Sequence, residues 1–326
     1  MKSKNQILLL AFLLLFSVAS MFASLISGSV DISVGQLLSE LSTRNDTLAN
    51  QILWDIRLPR SLAAFLCGAL LAMSGVIMQV LLRNPLADPY ILGISGGAAV
   101  GALSAILLGL GGLWLTNAAF AGALFSILLV FGIANKFGKW SVTRLLLTGV
   151  VVSAGWGAII NILLTTSSTN NVQSMLFWLM GDLSQSQVGA AHFLLLAAAL
   201  IGGLVISRPM NVLVRGELVA LALGISVRAL RLILYFSASI LTATAVTVAG
   251  SVGFVGLLIP HALRLMGARD HRLLIPGSLL LGGSFLLVAD TIARNIIAPQ
   301  QLPVGVVTAV IGVPAFIIIL RNSIRD

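Results

Sequence analysis

Charge is scarce in this sequence. Only 9% of its 326 residues are charged while 58% are hydrophobic, against roughly a quarter charged in a typical soluble domain. That shortage of polar cover excludes a soluble enzyme of this size. Cysteine occurs once, at Cys67 inside an apolar run, so no disulfide forms within the chain. The three histidines, His192, His261 and His271, make no H-x-x-x-H pair, and no carboxylate group completes a metal set with them. There is no G-x-S-x-G elbow and no Walker-type phosphate loop. Neither catalysis nor ATP binding is therefore expected of this chain alone.

What is present is a succession of apolar runs. One membrane crossing takes about 20 apolar residues, which leaves room for roughly ten crossings joined by short loops and for no separate soluble domain. The formal charge of +9 sits singly or in small groups between the runs, as in cytoplasmic loops under the positive-inside rule. That distribution argues against nucleic acid as a partner and for a lipid bilayer. Basic clusters fall at Lys2/Lys4, Arg83, Lys136/Lys139/Arg144, Arg208/Arg215/Arg228/Arg231, Arg264/Arg269/Arg272 and Arg321/Arg325. If each cluster marks one side, every interval between clusters crosses an even number of times.

Each interval has the length of one hairpin and a break in its middle. The breaks are the stretch Asp31 to Arg60, the glycines Gly109, Gly111 and Gly112, the stretch Thr165 to Gln187, Gly250 to Gly253, and Arg294 to Pro303. Five hairpins predict an all-α polytopic membrane protein of about ten transmembrane helices, one domain over residues 1–326, with both termini cytoplasmic. The first run, Ile7 to Ile26, is longer than a signal-peptide core and is expected to remain as an uncleaved span. Leu232 to Leu263 is too long for one helix in a hydrocarbon core of about 30 Å. It predicts a full helix, a Gly-Ser break and a truncated helix containing Pro260.

Among the carboxylates only Asp290 lies within an apolar run, and Arg294 follows four residues later. That spacing shares one helix face, so the two can pair or both reach water. The loop at about 207–228 holds a short helix former, Glu217 to Leu223, between Gly216 and Gly224. It is too short to span and too apolar to stand free in water, which fits either a protein-docking helix or a loop helix packed on its own bundle.

Collinear strings carry a resemblance. They include IRLPRSLAAFLCGALLAMSG from Ile56, RNPLADPYILGISGGAAVGA from Arg83, TRLLLTGV from Thr143, FWLMGDLS from Phe177, SRPMN from Ser207, GSVGFVGLLIPHALRLMGARDHRLLIPGS from Gly250, LVADTIAR from Leu287 and LPVGVVTAVIGVPAFIIIL from Leu302. Over nearly the whole chain these strings resemble the BtuC- and FecCD-like permeases, which import cobalamin, ferric siderophores and haem with an ATP-binding cassette.

The resemblance implies a type II importer permease fold in a bacterial cytoplasmic membrane and a homodimer with the pathway on its two-fold axis. It also implies two cytoplasmic ATPase subunits, which alone carry ATP and magnesium, and an extracytoplasmic substrate-binding protein. Docking of that protein is assigned by the resemblance to the outward-facing Arg57, Arg60 and Arg294. ATPase coupling is assigned to Arg215, Gly216, Glu217, Leu218, Leu221 and Gly224. A cytoplasmic gate is assigned to Asn84, Pro85, Leu86, Ser141 and Thr143. The alternative is an ion-coupled secondary transporter with inverted repeats, for which Asp290 is the one candidate carboxylate; an intramembrane enzyme would need Asp290 and His261. No His, Met or Tyr cluster marks a haem route, and the cargo stays open between an iron chelate and cobalamin.

Overall fold

The computed structural model describes residues 3–28, 30, 33–42, 44, 46–135, 141–184, 186 and 188–323. Lys2, Lys136, Lys139 and Arg325 of the basic clusters, Asp31, and both chain termini lie outside the described residues. Among the described residues there is no strand.

The chain begins with α1 (Ser3–Ile26) and a short amphipathic α2 (Val34–Ser42). Next, α3 (Leu48–Gln51) runs through a π-helical segment, Ile52–Arg57, into α4 (Leu58–Leu81). A 3-10 turn, Pro89–Leu92, leads into α5 (Ile94–Leu107), followed by α6 (Leu113–Asn135), α7 (Val142–Thr166), α8 (Thr169–Met180) and α9 (Ala190–Arg215). The short α10 (Glu217–Ala222) precedes α11 (Val227–Ala249), α12 (Val255–Leu265), α13 (His271–Asn295) and α14 (Val304–Ser323). Seven of these helical runs are long and apolar enough to cross a membrane, and α5, α12 and α14 are shorter apolar helices. Together they are the ten segments that charge parity predicts, and each predicted break separates two of them.

The bundle is arranged around α4. Its residues from Ala63 to Leu81 are buried except the half-buried Phe65, as expected of a helix apolar on all sides. By contrast α1, α7 and α9 are mostly exposed and offer their leucines and isoleucines to lipid. With no water to drive helices together, close backbone packing must do so. Glycine supplies it where α4 crosses its neighbours. A Cβ at Gly68 would collide with the Gly282 carbonyl of α13, and one at Gly75 with the Gly256 carbonyl of α12.

The predicted interruption after α11 is present. Gly250 takes φ 69° and Phe254 takes φ 70°, and α12, with Pro260 inside it, is only 11 residues long. Free amides at membrane depth need protein partners. Val252 N–H donates to Tyr90 Oη at 3.1 Å, and the Ser95 hydroxyl donates to Ser251 Oγ at 3.0 Å. The turn before α5 thus fills the polar needs of the break before α12.

Candidate functional site

Helices alternate in direction, so their loops gather at two ends of the bundle. At one end the first turn of α4, the last turn of α13 and the C-terminus of α1 converge. The sequence leads one to expect outward guanidiniums there. Instead Arg57 and Arg60 are buried, and the Arg294 side chain is nearly so. These positions face neighbouring helices rather than water, and a charge so placed requires partners.

Arg57 comes at the close of the π-helical segment and turns back over the end of α1. Its Nη1 donates to the Leu25 and Ile26 carbonyls, each at 2.8 Å, and its Nη2 to the Val30 carbonyl. A cation on orphan C-terminal carbonyls also suits the helix dipole. Arg60 reaches across to Asp290, which is 0% exposed. Its Nη2 lies 2.9 Å from Oδ1, its Nε 3.1 Å from both carboxylate oxygens, and its Nη1 donates to Gln301 at 2.7 Å. Arg294 takes the remaining side of Asp290, with Nε 3.1 Å from Oδ2. Its Nη2 donates to Ser24 Oγ at 2.8 Å. The i, i+4 pairing of Asp290 with Arg294 was legible in the spacing. The second arginine on Asp290, and the roles of Ser24 and Gln301, were not, because Arg60 is 230 residues away in sequence.

The opposite end carries α10 and the loop before α5. Gly216 and Gly224 bound α10 with φ of 138° and 74°, left-handed values that suit glycine. Glu217 pairs with the buried Arg231 of α11 at 2.7 Å, fastening the short helix at its first turn. Leu218 is 82% exposed, and Leu221 and Leu223 are exposed as well. Arg215 is exposed at the end of α9. Within this loop Ala220 is buried against the bundle, while the leucines remain uncovered. Arg231 carries no sequence signal beyond its charge.

Asn84, Pro85 and Leu86 are exposed, and Asn84 Oδ1 accepts the Leu86 N–H at 2.9 Å. Asp88, half-buried in the same loop, accepts the Tyr90 N–H at 2.8 Å and caps the 3-10 turn. Burial pushes its carboxyl up to about 6, against the lowering effect of that N–H. Ser141 occupies the N-cap of α7 and Thr143 its exposed first turn. The two predicted gate segments are linked because α7 packs on Pro89–Leu92 at Gly149, where a Cβ would lie 2.5 Å from the Ile91 carbonyl. Further along this end, Asp270 accepts from Asn211 Nδ2 at 2.8 Å and from Arg272 N–H at 2.9 Å, joining α9 to α13. Partial burial would raise that carboxyl, but these two donors and the nearby Arg272 and His271 charges hold it below the usual range.

Between the two ends, the break after α11 meets the ends of α8 and the start of α14. A Cβ on Gly305 would strike the Met180 carbonyl and lie 2.9 Å from that of Ser251. The open cavity at this junction, about 320 Å3, is lined by Leu179, Met180, Ser251, Val306 and Val310 among others. Among the described residues no three His, Cys, Asp or Glu side chains gather in a metal-binding group.

Comparison with known proteins adds an independent line. The model of the FecCD transport family matches residues 13–322. The cobalamin import system permease protein BtuC of Halobacterium salinarum is 44% identical over 281 residues, covering 84% of this chain and 74% of that protein. The vitamin B12 import system permease protein BtuC of Escherichia coli O127:H6 is 42% identical over 276 residues, covering 83% of this chain and 84% of its own length. A solved structure described as an inward-facing metal-chelate type ABC transporter superposes with a TM-score of 0.84 at 32% identity, over 96% of this chain and 98% of the other.

Proposed function

The chain belongs to the FecCD transport family, and on that premise we propose that it is the permease subunit of an ATP-binding-cassette importer whose cargo is a corrinoid such as cobalamin. The observation that carries the reading is the collinear family match from residue 13 to 322 on a fold of seven long and three shorter apolar helices. The cargo rests on relatives at 42–44% identity that are named as cobalamin or vitamin B12 permeases. A siderophore or haem remains an outcome of the test. The ion-coupled alternative loses its candidate, since Asp290 is occupied by two guanidiniums.

In this reading the α10 end faces the cytoplasm, in keeping with its basic residues, and both termini lie there. The uncovered leucines of α10 seat in an ATPase subunit that binds ATP and magnesium. As the family resemblance implies, the corrinoid passes between two copies of the chain. The loops at Asn84–Leu86 and Ser141–Thr143 close that passage on the inside. A binding protein delivers cargo to the Arg57, Arg60 and Arg294 end. The chain and its ATPase, reconstituted in liposomes with the binding protein, are expected to hydrolyse ATP faster and take up cargo when cobalamin is supplied. Stimulation by haem or a ferric siderophore but not cobalamin would replace the cargo. A particle mass fitting one permease copy would remove the homodimer.

A further inference from the structure

Helices α1 and α13 run parallel, both starting at the α10 end. Leu13 lies against Gly277. One turn further the Ser284 hydroxyl donates to Ser17 Oγ at 2.8 Å, and the Ser17 hydroxyl reaches the Leu280 carbonyl at 3.2 Å. Before that register the first turns of the two helices leave an open cavity of about 230 Å3 between them. Its lining is divided. Ile7, Leu10 and Leu273 give it apolar walls, and Gln6, Asp270 and Arg272 give it polar ones. The two charged groups are incompletely used. Asp270 takes the Asn211 amide and the Arg272 N–H on Oδ1 alone, and Oδ2 accepts from nothing among the described residues. Arg272 is exposed, and its guanidinium pairs with no carboxylate among the described residues. Ile7, 66% exposed, opens the apolar wall to the lipid side of α1.

A carboxylate and a guanidinium two residues apart, beside an apolar cleft that opens to lipid, match a zwitterion with an acyl tail. We propose that this cavity seats the headgroup of a phospholipid bearing a primary ammonium, phosphatidylethanolamine in class, where α1 and α13 enter the bilayer. The ammonium donates to Asp270 Oδ2, the phosphate takes the Arg272 guanidinium and the Gln6 amide, and an acyl chain runs along Ile7, Leu10 and Leu273. From Gln6 to Leu10 the helix rises about 6 Å, so headgroup-level and tail-level side chains stand in the order that a lipid presents them. Arginine grips phosphate through paired N–H groups, and basic pockets between helices at the cytoplasmic side seat lipid headgroups. A purely anionic headgroup would bring no donor to the Asp270 carboxylate, and a choline headgroup has no N–H to give it. The bound lipid bridges α1 to α13 and, through Asp270 and Asn211, to α9. The site needs only the membrane-spanning fold, whatever the cargo.

The test uses the assembled permease–ATPase complex in detergent, with retained lipid counted by native mass spectrometry after titration with phosphatidylethanolamine, phosphatidylcholine or phosphatidylglycerol. One phosphatidylethanolamine per permease copy is expected at concentrations roughly tenfold lower than the other two lipids require, the scale of one charge-assisted hydrogen bond. Asp270→Asn keeps an Oδ1 acceptor for the cap and should erase that preference. Arg272→Gln should weaken retention of all three lipids by roughly tenfold. Should either variant fail to assemble, the three-lipid comparison on the wild type decides. Equal retention of the three lipids by the wild type, or a preference for either of the other two, overturns the site. So does an undiminished preference in assembled Asp270→Asn, or unchanged retention in assembled Arg272→Gln. Melting temperatures form the last arm: a rise with inorganic phosphate equal to that with phosphatidylethanolamine would make this an anion site and overturn the lipid assignment.

Discussion

The two ends of the bundle handle charge in opposite ways. At the end where α1, α4 and α13 converge, three basic side chains turn inward, Arg57 on carbonyls and Arg60 and Arg294 on a buried carboxylate, while Arg44 stays exposed beside Asp55. At the α10 end they are many, and Arg83, Arg215, Arg228 and Arg269 are exposed. Apolar surface follows the reverse rule there, since Leu218 and Leu221 stand in water-facing positions while Arg231 is buried behind them. Each end therefore carries a residue type out of place: exposed leucine on α10, and buried guanidiniums where α1, α4 and α13 meet.

The largest expected effect tests the leucines. Leu218→Asp with Leu221→Asp should lower binding-protein-stimulated ATP hydrolysis by more than roughly tenfold through loss of buried interface anchors, with membrane levels of the chain unchanged. Normal hydrolysis in the double variant would make α10 a loop helix and nothing more. The next tests the inward turn at the other end. Arg57→Ala strips the cap from α1 and should cost roughly 3 kcal/mol of stability, read as a lower melting temperature in detergent. No shift would mean that the guanidinium is not fastened as described.

A smaller loss is expected from Glu217→Gln, about 1 kcal/mol or less, because Glu217 is partly exposed and its pair with Arg231 is screened. Hydrolysis per assembled complex should fall modestly as α10 loosens, and a full loss would make Glu217 a direct ATPase contact. The last effect concerns pH. The folded state raises the Asp88 carboxyl to about 6, so the fold favours its neutral form. Stability should therefore fall as pH rises from the ordinary carboxylate range through about 6, and level off above. In Asp88→Asn that slope should vanish while the turn keeps its cap, which a pH series of melting curves would report.

Much of this was readable from residue order. The hairpin breaks were marked by glycine and polar stretches, and the truncated α12 followed from the length of Leu232 to Leu263 and the Gly250–Gly253 interruption. The Asp290–Arg294 pair followed from helical spacing. The inward orientation of Arg57 and Arg60 was not readable, because a basic residue near a span end looks the same whether it faces water or a neighbouring helix. Nothing in the spacing of the α4 glycines says that Gly68 meets Gly282 or that Gly75 meets Gly256.

Composition and local order determined that this chain crosses a membrane, how many times, and where its short apolar helix stands, because lipid imposes length and charge limits on each segment separately. Which charges are available to a partner was decided only by the tertiary structure. Burial and pairing depend on helices far apart in sequence, and a buried guanidinium must find its acceptors wherever the fold brings them.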